Sequence, residues 1–454
     1  AVATDRPSAL DGGATEVDRY APGGAAAYLG QLAAQVRDGA GTGIAGLLKD
    51  KQDIVIIWGE RLGRGADGGE AIESLIKIGE TLGLAGKAES GLIEIPEVAN
   101  ARGLREVGCL PDTGPGLAQA EAGRDVEEIR AALESGEIKS LVLFGVDPLR
   151  DFPDTDGWRR ALEAAEHVVC FSMSATETSE YATVVFPTES HAEKDGTVTH
   201  PEGRLQRVRP SAKRPGDIRP GWMVLAELSA AIGHETGINS GPEALQAIAG
   251  AVPFYAGLTD GEIGGRGVRW QERPQADEFV GEADMDTTAS LEAADTDVTA
   301  SGGATPAGAT SVSTANGAGG AAPSAEQPPA SGDGSLTLGT YRDLWANPVT
   351  DLSPSLNYLI PAQRLELSVA DGKRLGLSRG DVVGVKSGDT EVVARVALRA
   401  AMPEGTCFLM EGTLEGNANV FANGRPAQVE IGKPSAQLDL VMAGGESGGT
   451  AAEE

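Results

Sequence analysis

The sequence contains 454 residues, with 67 Asp and Glu against 37 Lys and Arg, for a formal net charge of −30. So acidic a chain argues against unaided nucleic-acid binding, because phosphate contacts need clustered Lys and Arg side chains. The apolar fraction of 41% is ordinary for a globular protein, and no apolar run approaches the roughly 20 residues of a membrane-spanning helix.

Residues 1–276 alternate helical patterns with short apolar runs, a combination that predicts an α/β region. Apolar residues at helical spacing predict helices over 25–36, 68–84, 126–133, 158–165 and 217–232. Continuous apolar runs predict buried strands at 53–58, 140–144, 167–171 and 183–186. We therefore expect a doubly wound, mostly parallel sheet with helices on both faces. The opening AVATD reads as the end of a strand, so we also expect an N-terminally truncated region.

The rest of the chain divides into three parts. Residues 277–334 contain ten Asp or Glu and no Lys or Arg among Ala, Gly, Ser, Thr and Pro, which predicts a disordered acidic linker. Residues 335–443 predict a β-barrel, with strands at 364–369, 381–386, 391–398 and 406–410 separated by turn residues. The Gly-rich segment 444–454 is expected to be a disordered tail.

The three cysteines, Cys109, Cys170 and Cys407, are far apart, and no C-x-x-C motif occurs. This spacing predicts neither a Cys-ligated iron–sulfur cluster nor a zinc site within these residues. It also argues against a disulfide framework.

A first candidate site is the segment Gly145-Val146-Asp147-Pro148, which directly follows the 140–144 strand. Ligands of open parallel sheets bind at the carboxyl ends of strands. Gly there lets the backbone approach a ligand, and Asp can accept hydrogen bonds from a base or ribose. The alternative is a strand-to-loop turn in which Asp and Pro have their usual roles.

A second candidate is the polar stretch ESHAEKDGTVTHPEGR at 189–204. We expect a loop here, and a long polar loop after a buried strand is uncommon without a function. Thr197 and Thr199 can bind phosphate or backbone groups. The alternative is a solvated loop held by weak Lys–Glu ion pairs. No third ligand accompanies His191 and His200, so no metal site is predicted.

A third candidate is NANVFANGR at 417–425, because Asn side chains present both donors and acceptors to a heterocycle. The alternative is turn formation, for which Asn-Gly is a strong signal. The Gly-rich GERLGRGADGG at 59–69 lacks the GK[ST] ending of a phosphate loop, so that assignment is weak.

Together these segments resemble the molybdopterin oxidoreductase superfamily, and more closely the C-terminal part of the large iron–sulfur subunits (the G subunits) of bacterial NADH-quinone oxidoreductase, complex I. AVATDRPSALD with RYAPGGAAAYL is similar to the DPR…PGxD half-motif, ANARGLREVGCLPD to N..G..E.G.LP, and LVLFGVDPLRDFPD to the GxNP nucleotide loop. The most specific stretch, TETSEYATVVFPTESHAEKDGTVTHPEGRLQR, resembles ET..yADVVLP…EK.GT.tN.eGR.Q. ELSVADGKRLGLSRGDVV resembles the C-terminal dinucleotide-binding barrel of the superfamily, a double-psi-like fold.

The resemblance implies a crevice for a pterin guanine dinucleotide, which three departures from the family pattern suggest is vestigial. The carboxylate of PGxD falls on Ala25, the Asn of GxNP on Asp147, and the Asn of GT.tN on His200. The residues carried over to this crevice are Asp5, Arg6, Gly145, Asp147, Pro148, Glu189, Lys194, Gly196, Thr197, Gly203, Arg204, Asn417 and Asn419.

The resemblance also implies a function. The chain would be a structural and assembly region of a complex I subunit that, when full length, carries electrons from NADH toward quinone. The 2Fe-2S and 4Fe-4S clusters and any catalytic Cys or Ser would lie upstream, so no catalytic residue, metal ligand or cofactor is expected here. The expected partners are the other hydrophilic subunits, which would hold the chain peripherally at the cytoplasmic face of the membrane. The alternative is the molybdopterin guanine dinucleotide-binding portion of a true molybdoenzyme such as a formate dehydrogenase.

Overall fold

The computed structural model describes residues 1–39, 41–49, 51–279, 335–423 and 425–435. The helices are α1 (Ala25–Arg37), α2 (Gly43–Lys49), α3 (Gly68–Thr81), α4 (Ala101–Glu106), α5 (Val126–Glu134), α6 (Pro148–Asp151), α7 (Thr155–Ala164), α8 (Glu177–Glu180), α9 (Gly221–Ala231), α10 (Gly241–Ala251), α11 (Asp260–Ile263), α12 (Pro348–Leu352) and α13 (Val369–Leu375). The predicted linker, apart from residues 277–279, and the predicted tail lie outside the described residues.

The strands are β1 (Val2–Thr4), β2 (Val17–Arg19), β3 (Val55–Gly59), β4 (Gly91–Ile95), β5 (Ser140–Phe144), β6 (His167–Ser172), β7 (Val184–Pro187), β8 (Gly196–Thr199), β9 (Arg204–Val208), β10 (Val268–Arg269), β11 (Leu336–Tyr341), β12 (Arg364–Ser368), β13 (Val382–Ser387), β14 (Thr390–Arg399), β15 (Thr406–Met410) and β16 (Gln428–Gly432). In the first region, β1–β2, β3–β4 and β5–β6–β7 are parallel sheets. The predicted α/β class with parallel strands is confirmed, and the structure divides those strands among separate short sheets.

Helices cover one face of each larger parallel sheet. On β3–β4, the side chains of Ile56 and Trp58 pack against the core formed by α1, α2 and α3. On β5–β6–β7, Leu143 and Cys170 pack against Trp158 of α7 and Leu133 of α5. These contacts place the carboxyl ends of β3 and β5 in fixed positions, from which the candidate site segments leave.

The expected burial of the strands at 53–58 and 140–144 is wrong for alternate residues. Val55 is 50% exposed, Ile57 64% and Val142 57%. Side chains alternate between the two faces of a strand. In the described part of the chain, these residues lie on the sheet face opposite the packed helices.

Local chemistry sets the helix boundaries. Helix α5 begins at a capping box, in which Asp125 accepts from the Glu128 amide at 2.8 Å and Glu128 accepts from the Asp125 amide at 3.0 Å. Helix α9 begins at Gly221 rather than at residue 217, because Pro220 disfavours helical backbone in the residue before it.

The expectation of a loop at 189–204 is wrong for its second half. Strand β8 pairs antiparallel with β9, and β10 extends this sheet on the other edge of β9. The Gly196–Thr199 run is only four residues long and is flanked by charged residues, so the sequence pattern does not indicate a strand there.

The predicted barrel is confirmed. Six strands close in the order β11-β15-β12-β14-β13-β16, with both parallel and antiparallel pairs. Its interior is filled by apolar side chains such as Leu336, Leu365, Val385 and Leu409, all fully buried. Strand β15 matches the prediction at 406–410, and β11 and β16 are two strands that the sequence pattern missed.

Candidate functional site

A cavity of about 730 Å³ lies between the first region and the barrel. Asp5, Arg61 and Arg64 line it from the first region, and Glu411 and Asn419 line it from the barrel. Of the residues carried over to the predicted crevice, Asp5 and Asn419 face this cavity, and Arg425 from the 417–425 candidate lines it as well. The other candidates lie elsewhere around the interface between the two regions or in the β8–β9 hairpin.

Arg61 spans the cavity and is paired with a barrel carboxylate. It follows β3, and its Nη1 donates to Glu411 Oε1 at 2.7 Å while Nη2 donates to Oε2 at 3.2 Å. Nη2 also donates to Thr340 Oγ1 at 2.9 Å. Arg64 pairs with Glu97. Both of these arginines are therefore already paired with protein acids.

Sequence reasoning missed the roles of Arg61 and Arg64, although both lie in the Gly-rich stretch at 59–69. The available signal was their position directly after a parallel strand, where open α/β sheets bind ligands. Their pairing with Glu411 could not be read from the sequence, because Arg61 and Glu411 are 350 residues apart.

Asp5 brings a carboxyl group with an altered pKa to the cavity. Burial raises the pKa of Asp5, and the nearby Arg61 guanidinium opposes this shift only in part. Burial, with a smaller contribution from Asp5, also raises the pKa of the neighbouring Tyr20 hydroxyl. This end of the cavity is a poor environment for added negative charge.

Arg6 connects β1 to the barrel. Its Nε donates to Glu366 Oε2 at 2.8 Å, and its guanidinium carbon lies 3.9 Å from the centroid of the Tyr341 ring. Arg399 Nη2 donates to the other Glu366 oxygen at 2.5 Å. Burial alone would raise the pKa of Glu366, but the hydrogen bonds from Arg6 and Arg399 outweigh it and lower that pKa. The positive charge of Arg6 is thus compensated by the Glu366 carboxylate of the same chain.

The Gly145–Pro148 segment forms the turn from β5 into α6. Gly145 has φ of +68°, a left-handed conformation that favours glycine, and its amide donates to the Phe171 carbonyl at 2.9 Å. Pro148 is the first residue of α6. Asp147 accepts a hydrogen bond from the Thr178 hydroxyl. Burial raises the pKa of Asp147, and the bond from Thr178 counteracts it only partly.

Asn417 and Asn419 are bonded to α6. The Nδ2 atoms of both side chains donate to the carbonyl oxygen of Arg150, each at 2.8 Å. Asn417 Oδ1 accepts from the amides of Gly412 at 3.0 Å and Asn419 at 3.1 Å. Arg150 in turn donates from Nε to the Gly412 carbonyl at 2.8 Å. These buried hydrogen bonds connect the barrel to the first region.

A buried ion pair strengthens the same connection. Arg150 Nη2 lies 2.6 Å from Asp351 Oδ2, and the two side chains are 8% and 4% exposed. Asp351 belongs to α12, in the long connection between β11 and β12. Sequence reasoning missed this pair, because neither residue belongs to a local pattern that marks it.

The candidates in 189–204 are spread over the hairpin and its approach. Glu189 is buried and its Oε2 accepts from the Gly221 amide at the start of α9 at 2.9 Å. Lys194 is half-buried and makes no ion pair in the described part of the chain. Gly196 and Thr197 belong to β8.

Gly203 and Arg204 lie at the turn between β8 and β9. Gly203 has φ of +84°, and a Cβ atom there would collide with the Gln271 amide. Arg204 Nε donates to Glu202 Oε1 at 2.9 Å. The β8–β9 hairpin does not line the cavity. The predicted contacts between the 189–204 residues and a cofactor stay predictions.

The described ranges contain no group of three or more His, Cys, Asp or Glu side chains arranged to hold a metal ion. All three cysteines are free, Cys109 at the surface and the other two buried. Burial raises the pKa of the Cys407 thiol. Across the same ranges, no helix combines the length and apolar character needed to cross a bilayer.

Comparison with known families matches both regions. Residues 25–231 match the molybdopterin oxidoreductase family, and residues 336–436 match the molydopterin dinucleotide binding domain. The second match covers the six-stranded barrel.

The curated proteins that share sequence with the chain include the following three. The NADPH-Fe(3+) oxidoreductase subunit alpha of Geobacter sulfurreducens is 34% identical over 235 residues, which is 48% of this chain and 28% of the relative. The second NADH-quinone oxidoreductase G subunit of Rhizobium meliloti is 26% identical over 472 residues, 94% of this chain and 50% of the relative. The F420-dependent formate dehydrogenase subunit alpha of Methanocaldococcus jannaschii is 26% identical over 375 residues, which is 78% of this chain and 53% of the relative. The chain thus spans between 28% and 53% of these proteins.

Among solved structures, the acetylene hydratase of Pelobacter acetylenicus superimposes with a TM-score of 0.57. The match covers 95% of this chain and 74% of that one, at 11% sequence identity. It shows a shared fold.

The described lining of the cavity offers an anionic pterin dinucleotide one arginine without an ion pair, Arg425, because Arg61 and Arg64 already pair with Glu411 and Glu97. The phosphates of such a group are anionic and need free cations or backbone donors. The charged lining instead comprises four acids and three arginines, namely Asp5, Asp67, Asp151, Glu411, Arg61, Arg64 and Arg425. The side-chain donors of Asn417 and Asn419 are already bonded to Arg150.

Proposed function

Because the chain belongs to the molybdopterin oxidoreductase superfamily, we propose that it is the C-terminal structural and assembly region of the large iron–sulfur subunit of an NADH-quinone oxidoreductase. The observation that carries this proposal is the similarity to the Rhizobium meliloti G subunit over 94% of the chain, both regions included. The full-length subunit would carry electrons from NADH toward quinone through 2Fe-2S and 4Fe-4S clusters held outside these residues. Its partners are the other hydrophilic subunits, which hold it peripherally at the cytoplasmic face of the membrane.

In this proposal the pterin crevice is vestigial and its side chains connect two parts of a scaffold. Arg6 with Glu366 and Arg61 with Glu411 each join the first region to the barrel. The bonds from Asn417 to Arg150 add a third connection. Groups that would contact an anionic cofactor therefore stabilise the interface between the two regions.

A second candidate is the dinucleotide-binding portion of a true molybdoenzyme. It is favoured by the formate dehydrogenase alpha subunit, which is similar over 78% of the chain, and by the two family matches. Under this alternative a molybdopterin guanine dinucleotide would displace the present ion pairs of the cavity.

The activity of the native complex separates these candidates. A tag on the natural full-length subunit, expressed in its own host, allows mild purification of the assembly that contains it, with an untagged strain as control. We expect NADH oxidation coupled to quinone reduction in the purified assembly and no formate oxidation. Formate oxidation without NADH–quinone activity would overturn the proposal and favour the alternative.

A further inference from the structure

The Glu411 carboxylate of the barrel is enclosed by hydrogen-bond donors at the interface between the two regions. Glu411 directly follows β15 and is 5% exposed. Arg61 donates to both carboxylate oxygens, from Nη1 to Oε1 at 2.7 Å and from Nη2 to Oε2 at 3.2 Å. The Thr340 hydroxyl donates to Oε2 at 2.8 Å. One buried carboxylate therefore accepts hydrogen bonds from side chains of both regions.

Two further arginines lie against the same carboxylate. Arg342 Nε is 3.3 Å from Glu411 Oε1, and Arg64 Nη1 is 3.9 Å from that oxygen. We call Arg61, Arg64 and Arg342 the arginine cluster. No other carboxylate in the described ranges has three arginines within 4.0 Å, and Glu366, for comparison, has two. Three guanidinium groups thus converge on one internal anion.

The other acids beside the arginine cluster do not replace Glu411. Arg64 also pairs with Glu97, and Arg342 Nη2 lies 3.8 Å from Asp151 Oδ1. Neither Glu97 nor Asp151 pairs with all three arginines. Without the Glu411 carboxylate, three guanidinium groups would face two carboxylates, and one positive charge would be left uncompensated.

The arginine cluster lies where a ligand has access. Arg61 and Arg64 follow β3, and ligands of open parallel sheets bind beyond the carboxyl ends of strands. Both arginines and Glu411 line the cavity of about 730 Å³. The cluster therefore borders free space in which a small anion has room.

The chemistry of the cluster defines the anion that it accepts. The planar guanidinium fork matches the oxygens of carboxylate and phosphate groups, and converging cations repel one another unless an anion lies between them. We propose that the arginine cluster is a binding site for a phosphate-class oxyanion and that the Glu411 carboxylate occupies it in this chain. An external phosphate would have to compete with a carboxylate that the same chain holds at high effective concentration.

This inference rests on the vestigial crevice of the proposed function and names the side chain that closes part of it. Phosphate binding tests the inference, whereas the activity of the native complex tests the proposed function. Each can therefore fail without the other.

Equilibrium dialysis of the whole chain with radiolabelled inorganic phosphate tests the site. Glu411→Ala removes the internal carboxylate and leaves its donors free. A charge-assisted hydrogen bond changes an equilibrium constant by about tenfold or more, so we expect Glu411→Ala to bind phosphate at least about tenfold more tightly than the wild type at neutral pH and constant ionic strength. Glu411→Gln keeps a side chain of the same size in the site and should gain no binding.

Glu94→Ala is the matched control. Glu94 accepts hydrogen bonds from a single arginine, Arg105, at 3.1 and 2.6 Å, and it does not line the cavity. We expect this variant to gain no phosphate binding. The proposal would be overturned by an absence of gain in Glu411→Ala, or by the same gain in Glu94→Ala or Glu411→Gln.

Refolding gives a readout that does not require a stable variant. Without Glu411 the arginine cluster has no internal anion, so phosphate should raise the yield of folded Glu411→Ala after dilution from urea, and sodium chloride at the same ionic strength should not. Because phosphate also stabilises proteins in general, the gain is compared with those of the wild type and Glu94→Ala in the same two buffers. An equal effect of phosphate on all three proteins would contradict the site.

Discussion

Replacing Asn417 by Ala tests whether this side chain stabilises the protein in the absence of a cofactor. Asn417 is buried and makes three hydrogen bonds, one to the Arg150 carbonyl and two from the amides of Gly412 and Asn419. Its removal leaves the Gly412 and Asn419 amides without this acceptor. The Arg150 carbonyl retains the bond from Asn419 Nδ2 at 2.8 Å.

The expected cost follows from the two amides. A buried donor that loses its acceptor costs about 1 to 3 kcal/mol, so two of them cost about 2 to 6 kcal/mol. Because the Arg150 carbonyl keeps one partner, the third bond adds about 1 kcal/mol or less. We therefore expect Asn417→Ala to lower the free energy of unfolding by about 3 kcal/mol.

Urea unfolding followed by circular dichroism measures this loss. The matched control is Asn423→Ala in the same loop, where the exposed Asn423 side chain accepts a single long hydrogen bond of 3.4 Å. That control should change stability by no more than about 0.5 kcal/mol. If both variants unfold at the same urea concentration as the wild type, the assignment of Asn417 to the interface is wrong.

Three further substitutions test neighbouring features by thermal unfolding. Glu366→Gln should lower the midpoint temperature of unfolding at neutral pH. The pKa of Glu366 in the folded protein lies below its ordinary value of 4.5, so the charged carboxylate stabilises the fold at any pH above 4.5. This stabilisation should be lost as the pH falls through the lowered pKa. Asp5→Asn should raise the midpoint at neutral pH, because burial disfavours the charged form and raises the pKa of Asp5; it should change little below pH 3.8. Gly203→Ala should cost more than about 1 kcal/mol, since φ is +84° and the added Cβ meets Gln271. Gly196→Ala, with open space and no positive φ, is its control; equal midpoints for these two glycine variants would contradict the explanation.

The parts of the fold that depend on local patterns were predictable. The apolar run at 140–144 coincides with β5, and the run at 406–410 with β15, because continuous apolar residues between turn signals favour strands. Their burial was predictable only in part. Val142 is exposed because its burial depends on which elements pack on the second face, and that is a tertiary property.

The candidate site was predictable as a set of residues and not as a set of contacts. The sequence singled out Arg6, Asn417 and Asn419, but it gave no indication of their partners. Arg6 and Glu366 are 360 positions apart, and Asn417 and Arg150 are 267 apart. No local periodicity encodes such pairs, so the interface between the two regions became visible only in three dimensions.

The metal and nucleotide content of the natural full-length subunit tests the central claim most directly. Elemental analysis for molybdenum, tungsten and iron, together with extraction of guanine dinucleotide, can be made on the purified native complex. A vestigial crevice predicts iron without stoichiometric molybdenum or tungsten and without the dinucleotide. One molybdenum or tungsten per subunit, with extractable guanine dinucleotide, would contradict it.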